Sequence, residues 1–87
     1  MQIEMSQFYK TNIGWNMSFE IKCTEDQFSK CDFKKLELIG DYDFTNKDHE
    51  IIVDCVFDKE ELRENETIEE RIELIKKDIE QIIVSSC

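Results

Sequence analysis

The C-terminal part of the chain repeats apolar residues at spacings of four and three. These residues are Ile68, Ile72, Ile75, Ile79 and Ile82. Such spacing places them on one face of an α-helix. Thr67 stands just before the run and Glu70 follows three residues later, the capping-box spacing at a helix N-terminus. The pattern predicts a long amphipathic C-terminal helix with one face buried.

Two upstream segments alternate apolar and polar residues, the period of a half-buried strand. They run from Lys35 to Phe44 and from Glu50 to Asp58, with turn-forming residues between them. If Asn46 and Lys47 form the centre of the turn, the numbers of opposed residues sum to 93. Most pairs on one face are then apolar on both sides, as a core-facing row requires. The two segments are predicted to form a hairpin.

The N-terminal half adds another strand and a short helix. Alternation predicts a strand over 16–23, and the capping box Thr24/Gln27 predicts a helix over Glu25–Lys30. Ile3 and Met5 suggest a further strand at the start. The predicted fold class is α+β: a small three- to four-stranded, mainly antiparallel sheet with a short helix and the long C-terminal helix packed on one face. The order is β-β-α-β-β-α, or β-α-β-β-α if the first segment is irregular.

The length of 87 residues predicts one domain spanning 1–87, because a chain of this size builds only one modest core. No stretch approaches the roughly 20 apolar residues of a membrane span. The first ten residues lack the basic start and apolar run of a secretory leader. We therefore expect a cytoplasmic protein that does not contact a membrane.

Residue patterns typical of catalysis or metal binding do not occur in this sequence. The four cysteines are separated by 7, 23 and 31 residues, so no C-x₂₋₄-C zinc pair or C-x-x-C redox pair exists, and we expect free thiols. The segment from Asp41 begins like a calcium loop but lacks its glycine and final glutamate. His49, the single histidine, has no nucleophile or orienting partner that spacing identifies. The sequence predicts no enzyme, no cofactor and no metal site.

Charge is distributed unevenly along the chain. Residues 37–73 hold fourteen acidic and four basic residues, whereas acids and bases balance on either side. The whole net charge of −10 therefore arises from this middle segment. Ile39, Ile52 and Val56 lie among its carboxylates on the outward face of the predicted hairpin. Such a surface favours contact with a basic protein, although an acidic surface that only confers solubility is an equal alternative.

We predict that the acidic segment contacts a partner. The candidate partner-binding residues are Asp41, Asp43, Glu50, Asp54, Asp58, Glu60, Glu61 and Glu64. Direct nucleic-acid binding is disfavoured, because a net charge of −10 repels a phosphate backbone. A small, acidic, single-domain protein resembles in type the phage-encoded inhibitors of host defence, such as anti-CRISPR and anti-restriction proteins, and the immunity proteins of nuclease toxins. That similarity assigns no particular residue.

The resulting functional expectation is a small acidic inhibitor or binding protein. It would occupy a basic, nucleic-acid-binding surface of a partner such as a nuclease or a nucleic-acid-guided effector. The alternative is a small structural, adaptor or chaperone protein that acts as a homodimer, with the acidic face serving only solubility. The sequence leaves the oligomeric state open and slightly favours a monomer.

Overall fold

The computed structural model of the chain describes residues 2–40, 42–47 and 50–86. The strands are β1 (Gln2–Lys10), β2 (Gly14–Lys22), β3 (Asp43–Lys47) and β4 (Glu50–Asp58). The helices are α1 (Glu25–Lys30), α2 (Phe33–Glu37) and α3 (Ile68–Ser86), and a 3₁₀ turn covers Lys59–Glu61. The strands form one antiparallel sheet in the order β1-β2-β4-β3. The predicted α+β fold is confirmed, with one additional short helix.

The hydrophobic core lies between α3 and the two central strands. Alternate residues of β2 and β4 point to the same face of the sheet, because side chains of a strand alternate between faces. Those on the helix side are buried, and Phe19, Ile21, Ile51 and Val53 have no exposed surface. Helix α3 packs its predicted apolar face against them. Its buried isoleucines are the predicted Ile72, Ile75 and Ile79 together with Ile83, whereas the predicted Ile68 and Ile82 are half-buried.

Local capping explains where the short elements begin. The Thr24 hydroxyl accepts a hydrogen bond from the Gln27 N–H at 3.1 Å, and the Gln27 side chain accepts one from the Thr24 N–H at 3.0 Å. This confirms the predicted capping box and the bounds of α1. At the start of α3, the Thr67 hydroxyl accepts a bond from the Glu70 N–H at 3.2 Å.

The predicted strand from Lys35 to Phe44 is wrong over most of its length, because β3 begins only at Asp43. The Asp32 side chain accepts a hydrogen bond from the Lys35 N–H at 3.2 Å and thereby caps a helical turn, α2. This helix buries Leu36 completely, whereas Leu38 keeps 85% of its surface exposed. Burial of this large aliphatic side chain stabilises the helix, so the alternating pattern of the segment does not lead to a strand here.

The predicted hairpin of the last two strands exists, but its register differs. Lys47 opposes Glu50 and Phe44 opposes Val53, so opposed numbers sum to 97. Asn46 and Lys47 therefore belong to β3, and the turn predicted at these residues is wrong. Relative to the prediction, the partner of each β3 residue has moved by four residues along β4. Since side chains alternate with period two, the predicted core and outer faces are retained.

The loop between β4 and α3 is fastened to both elements through Arg71. The Arg71 guanidinium donates to the Glu66 carboxylate at 2.7 Å and lies 5.2 Å above the Phe57 ring. Desolvation works to raise the pKa of Glu66, but hydrogen bonds from Arg71 and Arg63 and their positive charges outweigh it, so the pKa is lowered. These contacts hold the ionised carboxylate in place.

The prediction that all cysteines are free thiols is wrong, because Cys31 is disulfide-bonded. Cys23 and Cys55 are free. Burial, together with the neighbouring Asp54 charge, raises the pKa of Cys55 to about 11. Burial also raises the pKa of Cys23. Cys55 therefore packs in the core as a small hydrophobic residue.

None of the helices within the described ranges combines the length and apolar composition required to cross a membrane.

Candidate protein-binding face

Within the described residues, no helix covers the face of the sheet opposite α3, which is here called the outer face. Along each strand its residues alternate with those of the core face. It is formed by Glu4, Gln7 and Tyr9 of β1, Asn16, Ser18, Glu20 and Lys22 of β2, Glu50, Ile52, Asp54 and Val56 of β4, and Asp43, Thr45 and Lys47 of β3.

Two pairs of carboxylates oppose each other across neighbouring strands of the outer face. Glu4 is the register partner of Glu20, and Asp43 is the register partner of Asp54. Directly opposed residues of antiparallel strands have Cα atoms about 4.5–5.5 Å apart. Like charges at this separation destabilise the sheet. The outer face therefore concentrates negative charge at an energetic cost to the isolated protein.

No ion pair with a lysine or arginine neutralises these four carboxylates within the described part of the chain. The ion pairs there join Lys30 to Asp26, Arg71 to Glu66 and Lys76 to Glu73, all in helices or in the loop before α3. The Ser18 hydroxyl donates a hydrogen bond to the Asp54 carboxylate. That bond orients Asp54 but leaves its negative charge available to a partner.

The opposite end of the outer face carries compensated charge. Glu50 lies on β4 between Lys22 of β2 and Lys47 of β3, its two register partners. One acid between two bases leaves a net charge of about +1 at this end, so no negative field arises here. The negative charge of the outer face thus increases from this end towards Asp54 and Asp43.

A concave opening lies beside the second half of β4. Strand β3 starts at Asp43, opposite Asp54, whereas β4 continues to Asp58. A cavity of about 780 Å³ adjoins this region. Its lining includes Asp43, Asp54 and Glu61, and among the described lining residues the basic one is Arg71, which binds Glu66. Three carboxylates thus surround a space large enough for long basic side chains.

Apolar surface accompanies these carboxylates. Tyr9 and Val56 are 57% and 67% exposed, and both line the cavity. Exposed aromatic and aliphatic surface among charges supplies the contact area that desolvates an interface. The expectation that Val56 lies among outward carboxylates is therefore met in the structure.

The structure brings only part of the predicted site together. Asp43 and Asp54 are adjacent, and Glu61 lines the same cavity. Asp58 follows on β4, where its carboxylate accepts a hydrogen bond from the Glu60 N–H at 2.9 Å and so caps the 3₁₀ turn. This bond gives Asp58 a structural role.

The remaining predicted residues do not join this cluster. Glu50 is flanked by lysines, as described above. Glu60 is exposed on the 3₁₀ turn and Glu64 is exposed in the following loop. Asp41 lies outside the described residues. Most of the acids at the start of α3 lie on exposed positions of the helix layer, away from the outer face.

Glu4 and Glu20 belong to the outer face but were not among the predicted site residues. They lie in the segment whose overall charge is balanced, so counting charge along the chain does not identify them. The alternation of β2 places Glu20 outward, and its position diagonal to Asp54 follows from the pairing of β2 with β4. That pairing was not part of the sequence prediction.

Among the described residues, no group of three or more His, Cys, Asp or Glu side chains is arranged to hold a metal ion. Comparisons of the chain with protein-family models, curated proteins and solved structures find no match. The geometry and charge of the outer face are therefore the basis for any functional assignment.

Proposed function

We propose that this protein binds a basic, nucleic-acid-binding surface of a partner protein through its outer face and thereby inhibits that partner. The single observation that supports this most strongly is the pairing of Asp43 with Asp54, without a neutralising base, beside a cavity lined by a third acid. A nuclease or nucleic-acid-guided effector of the kind that phage anti-defence proteins target carries such a basic surface.

The electrostatic argument concerns the free and bound states. In the free protein, opposed carboxylates repel each other across the strands. A lysine or arginine of the partner placed between Asp43 and Asp54 adds two favourable interactions that outweigh that repulsion. Complementary fields also accelerate the encounter of the two proteins. The unfavourable arrangement in the free protein thus becomes favourable in the complex.

Apolar contacts add affinity beyond charge. Tyr9 and Val56 are exposed next to the acidic pairs. The aliphatic parts of arginine and lysine side chains pack on such surfaces while their charged groups remain near carboxylates. A face with acids alone would bind many cations weakly, whereas this combination favours a shaped protein surface.

The experiment captures basic proteins from a bacterial lysate on the immobilised full chain at low salt. The test variant is Asp43→Lys/Asp54→Lys, and the matched control is Glu37→Lys/Glu80→Lys, which changes net charge equally on exposed helical positions. We expect captured basic proteins to elute as salt rises and to bind the test variant at least about tenfold more weakly. The control variant should bind like the unmodified protein.

Inhibition is then measured with each captured protein after purification. Addition of the unmodified chain should displace nucleic acid from the partner, and the test variant should not. Capture that does not respond to salt, or that is equally strong for both double variants, contradicts the proposal. The adaptor or chaperone alternative predicts that latter result, because the acids then serve only solubility.

A further inference from the structure

Strand β1 forms one edge of the sheet over nine residues. It pairs with β2 on one side, and within the described residues no strand pairs with its other side. An edge strand of this length presents a row of free backbone donors and acceptors to other chains. The opposite edge, β3, has only five residues.

Apolar side chains of β1 are exposed on the helix side of the sheet. The buried core joins α3 to β2 and β4, and β1 lies beyond it. Met5 and Phe8, which point to the same side as the core, remain 37% and 41% exposed. A neighbouring strand at this edge would cover both residues.

Charge favours a second copy of this chain at β1 over a second copy at the outer face. Strand β1 contains one acid, Glu4, and one base, Lys10, in a chain with net charge −10. If two copies met through their outer faces, acidic residues of one copy would face acidic residues of the other. Two copies of β1 meet where the molecule carries balanced charge, so local repulsion is small.

The side-chain pattern of β1 is compatible with antiparallel pairing to itself. An irregularity between Met5 and Gln7 shifts the alternation, so Phe8 and Met5 share the helix side. If the residue numbers of each opposed pair sum to 13, Met5 of each copy faces Phe8 of the other copy. Glu4 of each copy then faces Tyr9 of the other. Every pair then joins side chains of the same face, and no like charges oppose. If the pairing shifts by one residue in either direction, helix-side residues of one copy face outer-face residues of the other copy.

We infer that β1 is a dimerisation edge that pairs antiparallel with β1 of a second copy of this chain. The product is a continuous eight-stranded sheet, with paired Met5 and Phe8 forming a sulfur–aromatic cluster beside the two cores. Both outer faces then lie on the same side of that sheet. The dimer interface shares Glu4 and Tyr9 with the outer face, whereas Asp43, Asp54, Val56 and Glu61 lie outside it.

Salt distinguishes this inference from the proposed function. Two molecules with net charge −10 repel at long range, and salt screens that repulsion. Dimerisation through the neutral edge should therefore strengthen as salt rises, whereas binding of a basic partner weakens. The failure of either proposal leaves the other testable.

The experiment is sedimentation equilibrium of the full chain over a range of protein concentrations, at low and at high salt. We expect the mass to rise from 10.5 kDa towards twice that value, at lower protein concentration when salt is high. A non-reducing gel confirms that no intermolecular disulfide accounts for the dimer. A mass that stays at 10.5 kDa under all conditions overturns the inference.

Charge substitutions test the edge itself. Met5→Lys/Phe8→Lys and Met5→Glu/Phe8→Glu should each weaken dimerisation at least about tenfold, because like charges then oppose. An equimolar mixture should restore it, which also shows that both variants are folded. Leu74→Lys/Val84→Lys, on exposed positions of α3, is the matched control and should dimerise normally. Loss of the dimer in this control, or no rescue in the mixture, overturns the assignment to β1.

Discussion

The opposed pair Asp43 and Asp54 makes a prediction about stability that requires no partner. Replacing Asp43 by asparagine removes one charge and keeps the shape of the side chain. Asp43 is the better site for this change, because Asp54 also accepts the Ser18 hydrogen bond. The variant Asp43→Asn should therefore be more stable than the unmodified protein.

The magnitude follows from the separation of the strands. Two unit charges about 5 Å apart repel by about 0.8 kcal/mol in water, and like-charge cross-strand pairs fall within about 0.2–1 kcal/mol. We take about 0.5 kcal/mol as the expected gain in the free energy of unfolding. For a domain of this size, such a gain raises Tm by about 2–4 °C.

Thermal unfolding followed by circular dichroism measures this effect at low salt and at 1 M salt. The matched control is Glu64→Gln, which removes the same charge from an exposed loop position. At 1 M salt the screening length is about 3 Å, so most of the gain should disappear. An equal gain in the control, or a gain that persists at high salt, refutes the argument from paired carboxylates.

Three further predictions concern packing, pH and thiol chemistry. Gly14→Ala should destabilise the protein by about 1–3 kcal/mol in urea unfolding, because the added Cβ lies 2.0 Å from the Phe57 carbonyl oxygen; Gly40→Ala, with no atom within 4 Å, is the near-neutral control. Glu66→Gln should lower the free energy of unfolding at pH 7, because folding favours the ionised form of Glu66. The difference in stability between the variant and the unmodified protein should shrink as the pH falls through the lowered pKa of Glu66. A difference that does not depend on pH contradicts this. Cys55, with its pKa raised to about 11, should react with a thiol reagent at pH 8 only after unfolding; rapid labelling of the native protein would show that it is accessible.

The predictable parts of this fold are those in which the signal is local. Helix α3 has a long apolar period and a capping residue, and helix α1 has a complete capping box within four residues. Both depend on hydrogen bonds and side-chain faces that neighbouring residues supply. The alternation of β2 and β4 likewise identifies their core faces, because period two holds for any partner strand.

The segment that includes α2 shows where local pattern is insufficient. Residues 35–40 alternate like a strand, yet Asp32 caps a helix there and Leu36 is buried by it. When only neighbouring residues are considered, a buried Leu36 is compatible with a helix and with a strand. Contacts of α2 with α3 and β3 decide between them, and the contacts with α3 join residues far apart in sequence.

The candidate site likewise has one part that the sequence predicts and another that only the tertiary structure decides. The distribution of charge along the sequence identified an acidic middle segment, because residues 37–73 hold fourteen acids and only four bases. Register decided that Asp43 opposes Asp54, that Glu50 stands between two lysines, and that Glu4 and Glu20 join the same face. Strand order and pairing are set by which apolar faces pack under α3, a property of the whole chain. Charge along the sequence therefore determined the character of the surface, and tertiary packing determined which carboxylates act together.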